Sequence, residues 1–173
     1  EAGAGRPRSE ADMVELATGL ALRGAGNAQQ IIEEQEARIE NADRLARFRF
    51  VRPSLSEREE ERLAFFSSLQ RRENREREPW VLAAIANLHH PLLAERSIAL
   101  IRPSLDLLEE IQETGDIFFP GRWLDATLSG YASEEAAQLV RGYLTDKPEL
   151  SSRLKNKVLQ SADTLLRPNP AAE

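Results

Sequence analysis

The sequence contains no cysteine, which excludes disulfide bonds and thiol chemistry. It also has no apolar run approaching the roughly 20 residues that span a bilayer. The polar N-terminus has no apolar segment of the kind found in secretory signals. We therefore expect a cytoplasmic protein with no membrane partner.

Lysine is scarce, because 20 of the 23 basic residues are arginine and only three are lysine. The formal net charge of -6 disfavours a nucleic-acid binder, which usually shows a basic excess on one face. The predicted helices show no basic stripe, which also disfavours binding to a membrane surface. We expect most arginines to form exposed, individually weak ion pairs with glutamate.

Strand signals are absent too, because the sequence shows no period-2 alternation and no Asn-Gly or Asp-Gly hairpin turn. Helical spacing of apolar residues instead recurs between glycine and proline stops. We predict an all-α fold of eight or nine short antiparallel helices. Such helices form either a bundle or a short right-handed solenoid of helix pairs, similar to HEAT or armadillo repeats.

The predicted domain organisation is a single α-helical domain over residues 9–167. It is flanked by a flexible tail or linker at 1–8 and a loose C-terminal tail at 168–173. The run 70–78 alternates in charge, which predicts an exposed loop. The run 80–88 is apolar almost all round, which predicts a helix buried between neighbours.

Serine marks several predicted helix starts. Ser9, Ser133 and Ser151 each precede a helical pattern and are predicted N-caps. Ser56 has Glu59 three residues later, which is the spacing of a capping box. Gly24 is predicted to end the first helix.

An internal echo favours the solenoid over the bundle. The segment Phe50–Ser56 (Phe-Val-Arg-Pro-Ser-Leu-Ser) is matched 50 residues later by Leu100–Asp106 (Leu-Ile-Arg-Pro-Ser-Leu-Asp). We predict that Pro53 and Pro103 each end a helix, and that Ser56 and Asp106 each cap the next one. A helix, a proline break and a capped helix would then occur twice. A chance match in an arginine- and leucine-rich chain is the alternative.

No constellation in the sequence predicts catalysis or metal binding. His89 and His90 are the only histidines, and adjacent helical residues point about 100° apart, so the two do not converge on one metal. Their position before Pro91 predicts a helix C-terminus, where a histidine favours the helix dipole. We therefore predict no catalytic residue, no metal ligand and no cofactor in this chain.

Three arginines lie beside predicted helix breaks, where side chains can line a concave surface. They either cap carbonyl groups and pair with glutamate, or hold a peptide carboxylate or a neighbouring domain. These candidate substrate-facing or domain-facing residues are Arg52, Arg102 and Arg122.

The stretch 114–131 holds four of the ten aromatic residues. A connection between helices is normally polar because it runs over the surface, yet this one contains Ile117-Phe118-Phe119. Its aromatic side chains are predicted either to complete the domain's own core or to form an interface with another domain. The candidates are Phe118, Phe119 and Trp123.

Seven short strings resemble, in order and spacing, the C-terminal helical domain of bacterial zinc aminopeptidases of the aminopeptidase N family. The resemblance covers residues 41–167. The strings are Glu78–Leu82, His89–Pro91, Ile101–Leu105, Leu108–Gln112, Gly115–Pro120, Trp123–Leu128 and Leu159–Asp163.

The resemblance implies a larger enzyme in which zinc is held by His-Glu-x-x-His and a distant glutamate of a separate catalytic domain. A Gly-x-Met-Glu-Asn loop there holds the free amine of the substrate. This chain contains neither motif. It would be the helical domain that closes over the active site, so its partners would be the catalytic domain and the peptide substrate.

The sequence leaves three functions open. The first is this non-catalytic cap domain. The second is a free-standing helical-repeat adaptor that binds a protein partner along a concave face. The third is an unrecognised hydrolase, for which no constellation of residues provides support.

Overall fold

The computed structural model describes residues 9–167, which fold into α-helices and short 3-10 helices with no strand among them. The all-α prediction is therefore confirmed. None of the helices in this range is both long enough and apolar enough to cross a membrane. The tails predicted at 1–8 and 168–173 lie outside the described residues.

Residues 9–167 contain twelve α-helical segments rather than the eight or nine predicted, because several pieces are only four to seven residues long. They are α1 Glu10–Leu22, α2 Ala28–Arg38, α3 Ala42–Val51, α4 Glu59–Ser68, α5 Glu78–Leu88, α6 Ala94–Ser97, α7 Ile101–Asp106, α8 Leu108–Thr114, α9 Phe119–Leu128, α10 Glu134–Asp146, α11 Ser152–Ser161 and α12 Asp163–Leu166. The 3-10 helices are Arg52–Leu55, Arg72–Arg75, Pro91–Leu93 and Ile98–Leu100.

Side-chain caps begin several of these helices where the sequence predicts them. The Ser9 hydroxyl accepts a hydrogen bond from the Asp12 amide, and the Asp12 carboxylate accepts one from the Ser9 amide. Ser133 and Ser151 cap α10 and α11 in the same position. Gly24 has a φ of 66°, a left-handed conformation that suits glycine and ends α1. These four predictions are confirmed.

The capping box predicted at Ser56 is wrong, because α4 begins at Glu59 after a further turn. The buried guanidinium of Arg62 donates to the carbonyl oxygens of Ser56 and Glu57, at 2.7 and 3.1 Å, and fixes that turn. The Ser56 hydroxyl accepts from the Arg58 amide and donates to the Glu61 carboxylate instead.

The helix break predicted at Pro103 is also wrong. Pro103 lies in the first turn of α7, where the missing amide hydrogen of proline costs no helical hydrogen bond. Asp106 is consequently the last residue of α7 and not the cap of the next helix. Its carboxylate accepts a hydrogen bond from Arg102 Nε at 3.1 Å.

The two echo segments share a pattern of burial rather than a helix break. Ser54 and Ser104 are both fully buried, and the leucine that follows each of them is buried as well. The hydroxyl of Ser54 accepts from Asn87 of α5, and that of Ser104 contacts His89, the residue that ends α5. Both segments therefore lie against the C-terminal end of the same helix.

Helix α5 joins the two apolar clusters of the described chain. It packs against α3 and the 3-10 helix Arg52–Leu55 on one side and against α9 on the other. Its buried side chains include Val81, Ile85 and Leu88, which confirms the buried helix predicted for residues 80–88. The smaller cluster comes from α1 to α3 and the 3-10 helix Arg52–Leu55, and the larger from α4, α5 and the helices after them.

Gly130, which follows α9, lies against the end of α5, and its substitution tests how closely the two segments pack. A methyl group at Gly130 would lie 2.0 Å from the His89 carbonyl oxygen, whereas one at Gly142, within α10, would meet no atom within 4 Å. Gly130→Ala should therefore lower the free energy of unfolding by roughly 1–3 kcal/mol or more. Gly142→Ala should raise it by roughly 0.5–1 kcal/mol, because alanine favours a helix interior. Urea denaturation of both variants measures these changes. Equal effects of the two substitutions on stability would contradict the close packing of Gly130 against His89.

Candidate functional site

A buried hydrogen-bonded network lies at the centre of the larger cluster. His89 Nδ1 lies 2.7 Å from the Tyr131 hydroxyl, and His89 Nε2 lies 3.2 Å from the Ser104 hydroxyl. The Trp123 indole nitrogen donates to the Ser104 carbonyl oxygen at 2.9 Å. A neutral imidazole donates from one nitrogen and accepts at the other, so it satisfies both hydroxyl groups.

His89 is neutral in this environment, because burial lowers its pKa to about 3. Burial also raises the pKa of the Tyr131 hydroxyl. The predicted position of His89 at a helix C-terminus is confirmed, but a neutral ring brings no positive charge to the helix dipole. We assign the network a structural role, since both ring nitrogens already have partners inside the protein.

The depressed pKa of His89 makes stability depend on pH. The unfolded imidazole has a pKa near 6.5 and the folded one about 3, so between these values only the unfolded chain binds the proton. The contribution of His89 to stability is present above pH 6.5 and is lost as the pH falls, by up to about 1.4 kcal/mol per pH unit.

His89→Gln isolates this effect, because glutamine keeps a donor and an acceptor but does not titrate. The stability difference between wild type and variant should shift against the wild type as the pH falls from 6.5 to 4. Chemical denaturation at each pH measures it. Subtracting the two curves removes the contribution of the carboxylates, and a difference that stays constant would contradict the assignment.

The structure divides the aromatic stretch between the core and the surface. Phe119 and Trp123 are 2% and 0% exposed and pack edge to face, with ring centroids 6.1 Å apart. Ile117 and Phe118 are 60% and 63% exposed. Of the three candidate aromatic residues, two therefore belong to the core and only Phe118 faces outward.

Hydrogen bonds hold the exposed part of this stretch in place. The Asp116 amide donates to the Glu78 carboxylate at 2.7 Å, and the Phe118 amide donates to the Asp116 carboxylate at 2.8 Å. Lys157 of α11 donates to the Ile117 carbonyl oxygen at 3.3 Å. The two apolar side chains are thus presented on a fixed loop.

Arg122 is the candidate arginine that lies beside these side chains. Its guanidinium lies 5.8 Å from the centre of the Phe118 ring, within the range of a cation–π interaction. Within residues 9–167 no carboxylate lies within ion-pair distance of it. We define the Phe118 patch as Ile117, Phe118, Arg122 and Lys157.

Arg52 lies elsewhere, between α2 and α4. It forms ion pairs with Glu36 at 2.7 Å and Glu33 at 3.5 Å, so its charge is compensated inside the chain. The same side chain lines a groove of about 430 Å³ whose other walls include Ile32 and Phe65. This position fits both the ion-pair role and the surface-lining role considered for it.

Arg102 is held by two carboxylates. It pairs with Asp106 at 3.1 Å and Asp146 at 2.6 Å, and it lies over the ring of Tyr143. The hydrogen bonds that its guanidinium donates to Asp146 and Asp106 raise the pKa of Arg102. The structure therefore does not bring Arg52, Arg102 and Arg122 together into one site.

Arg75 was missed by the sequence interpretation, which places it in an exposed charged loop. Its side chain is buried, and its guanidinium donates to the Leu69 carbonyl oxygen and to the Glu110 carboxylate. No local pattern marks this arginine, because Glu110 lies 35 residues away in the chain. Its role is to join the loop before α5 to α8.

Among residues 9–167, no group of three or more His, Cys, Asp or Glu side chains is close enough together to hold a metal ion. No protein-family model, no curated protein and no solved structure matches the chain.

Adjacent phenylalanines provide a matched test of this division between core and surface. Phe119→Ala should destabilise the chain by roughly 3–5 kcal/mol, because it leaves a cavity beside Trp123. Phe118→Ala should change stability by no more than about 0.5 kcal/mol, because the side chain is exposed. Thermal and urea unfolding compare the two variants. Similar losses at both positions would show that Phe118 packs into the core.

Proposed function

We propose that this chain is the non-catalytic, C-terminal helical domain of a zinc aminopeptidase, which removes N-terminal residues from peptides. In this role the domain closes over the active site and controls which peptides reach it. The observation that carries the proposal is the exposure of Ile117 and Phe118 on a loop fixed by hydrogen bonds.

Exposed apolar side chains are common when they occur singly, but here two adjacent ones stand on an ordered loop. Covering one of them typically contributes about 1.5–3 kcal/mol. Because the loop is already held by Glu78 and Lys157, docking it onto a partner orders few additional groups. These features support a docking surface.

The resemblance identifies the partner that this surface would meet. Two of the seven matching strings, residues 115–120 and 123–128, contain or adjoin the loop. In the resembling enzymes the catalytic domain holds the zinc, which activates the water that attacks the peptide bond. This chain would contribute by excluding bulk water and large proteins from the closed chamber.

We also infer that the helices stack as a short right-handed solenoid of antiparallel pairs. Support comes from the packing of α1 on α2, of α10 on α7, and of α9 on both α5 and α11. The two echo segments against the end of α5 add a second indication of repetition.

The alternative is a free-standing helical-repeat adaptor that binds a protein partner. The groove beside Arg52 favours it, because Ile32, Pro53 and Phe65 give the groove an apolar wall and Glu57 and Glu61 give it a polar rim. Such a groove is the kind of concave surface that helical repeats present to peptides.

The gene preceding Glu1 distinguishes the two functions. A continuous reading frame that encodes His-Glu-x-x-His upstream is expected for the cap domain. A start codon directly before Glu1 would overturn the cap domain and favour the adaptor.

Phe118→Ser tests the docking surface within the longer polypeptide. We expect this variant to lower the unfolding temperature of the whole enzyme by several degrees, because a buried phenylalanine is lost from an interface. In the isolated chain the same change should have little effect. Leu92→Ser removes another exposed apolar side chain and is the matched control. Calorimetry measures the unfolding temperature of each variant in both proteins. Equally small effects of Phe118→Ser in the isolated chain and in the whole enzyme would exclude the docking role.

A further inference from the structure

Helix α11 differs in charge from the rest of this acidic protein. It carries Arg153, Lys155 and Lys157 and contains no aspartate or glutamate. Among the α-helices described here, every other helix with a basic side chain also has an acidic one. None of the three cations has a carboxylate within ion-pair distance in residues 9–167, whereas Lys147 pairs with Glu109.

The cations of α11 lie on two different sides of the helix. Leu154 and Val158 are buried and define the side that faces the core. Arg153 and Lys157 are four residues apart and share one flank, and Lys155 lies on the opposite flank. The hydrogen bond from Lys157 to the Ile117 carbonyl oxygen shows that the flank with Arg153 and Lys157 adjoins the Phe118 patch.

Three carboxylates of this chain lie close to the patch, and each already accepts a hydrogen bond. Glu78 accepts from the Asp116 amide, Asp116 from the Phe118 amide, and Asp125 from the Ser161 hydroxyl at 2.6 Å. None of them lies within ion-pair distance of Arg122 or Lys157.

Docking of the patch would remove water from these two cations as well as from the apolar side chains. A buried cation without a partner is costly, because it loses its hydration and gains no ion pair in return. Among residues 9–167, Lys157 has only the Ile117 carbonyl oxygen as an acceptor, so a surface that covers Phe118 together with these two cations compensates them best with acceptors placed against Arg122 and Lys157. Carboxylates are the protein groups that compensate both charge and hydrogen bonding.

A protein surface fits this requirement better than a membrane or a nucleic acid. The chain has a net charge of -6, so the extended negative field of an anionic phospholipid surface or a polynucleotide would repel it as a whole. A short protein segment with a few carboxylates beside apolar residues matches the local charge and avoids that long-range repulsion.

We propose that the Phe118 patch docks onto a protein segment that places apolar side chains against Phe118 and carboxylates against Arg122 and Lys157. This inference rests on the proposed function only in treating the patch as a docking surface. It adds the chemistry of the partner, which nothing in the resemblance specifies.

The test uses three fluorescein-labelled peptides with the same apolar centre, Leu-Phe-Leu. In the first the flanking residues are Asp and Glu, in the second Asn and Gln, and in the third Lys and Arg. Fluorescence anisotropy with the 173-residue chain should show at least tenfold tighter binding of the acidic peptide than of the neutral one. Added salt should weaken it. Equal binding of the acidic and neutral peptides, or no binding of the acidic peptide, would overturn the proposal.

Two lysines on opposite flanks of α11 supply the matched control. Lys157→Glu and Lys155→Glu change the net charge equally, but only Lys157 belongs to the Phe118 patch. Lys157→Glu and Arg122→Glu should each weaken binding of the acidic peptide about tenfold, and Lys155→Glu less than twofold. Circular dichroism checks that each variant is folded. Equal weakening by both lysine variants would show a general charge effect and overturn the proposal.

Vesicles containing phosphatidylserine provide the remaining arm. Tighter binding to these vesicles than to the acidic peptide, lost in Lys157→Glu, would replace the protein partner with a membrane surface.

The result of the peptide experiment can be told apart from the result of the test of the proposed function. An upstream frame without His-Glu-x-x-His removes the aminopeptidase and leaves the peptide result standing, whereas loss of the acidic preference removes only this inference.

Discussion

The hydrogen bond from the Trp123 indole to the Ser104 carbonyl oxygen is the interaction on which the arrangement of the other helices depends. Ser104 in turn contacts His89 at the end of α5, and His89 contacts Tyr131 after α9. A buried polar group that loses its partner is costly, so each member of this series fixes the position of the next. The network thereby sets the relative positions of α5, α7 and α9 in a chain that has no cysteine to form a disulfide.

The exposed patch is a consequence of that anchoring. Successive residues of a helix point about 100° apart, so burial of Phe119 and Trp123 turns Phe118 and Arg122 toward solvent. The loop before α9 is then fixed from outside by Glu78 and Lys157. A protein with no use for this surface gains nothing from holding two apolar side chains in water. The patch is therefore the feature that links the packing of the core to the docking function that we propose.

Local sequence patterns predict much of this fold. Serine caps, the glycine stop and the buried helix α5 depend on neighbouring residues, and the structure confirms them. The predictions at Ser56 and Pro103 are wrong for two different reasons. The guanidinium of Arg62 fixes the turn at Ser56 from six residues away, and Pro103 lies in the first turn of α7, where proline is tolerated. Which of Phe118 and Phe119 faces outward depends on the phase of α9, which a bond across 19 residues sets. The sequence singles out the stretch 114–131, but periodicity cannot supply that phase.

The central claim is that Phe118 is covered by another part of a longer polypeptide. Because the chain has no cysteine, Phe118→Cys introduces its sole thiol, and maleimide labelling followed by peptide mapping reports its exposure. An exposed position on a different helix, Glu135→Cys of α10, is the reference. The account predicts that position 118 reacts as fast as position 135 in the isolated chain and at least tenfold more slowly in the full-length polypeptide. Equal reaction rates at the two positions in both proteins would contradict it.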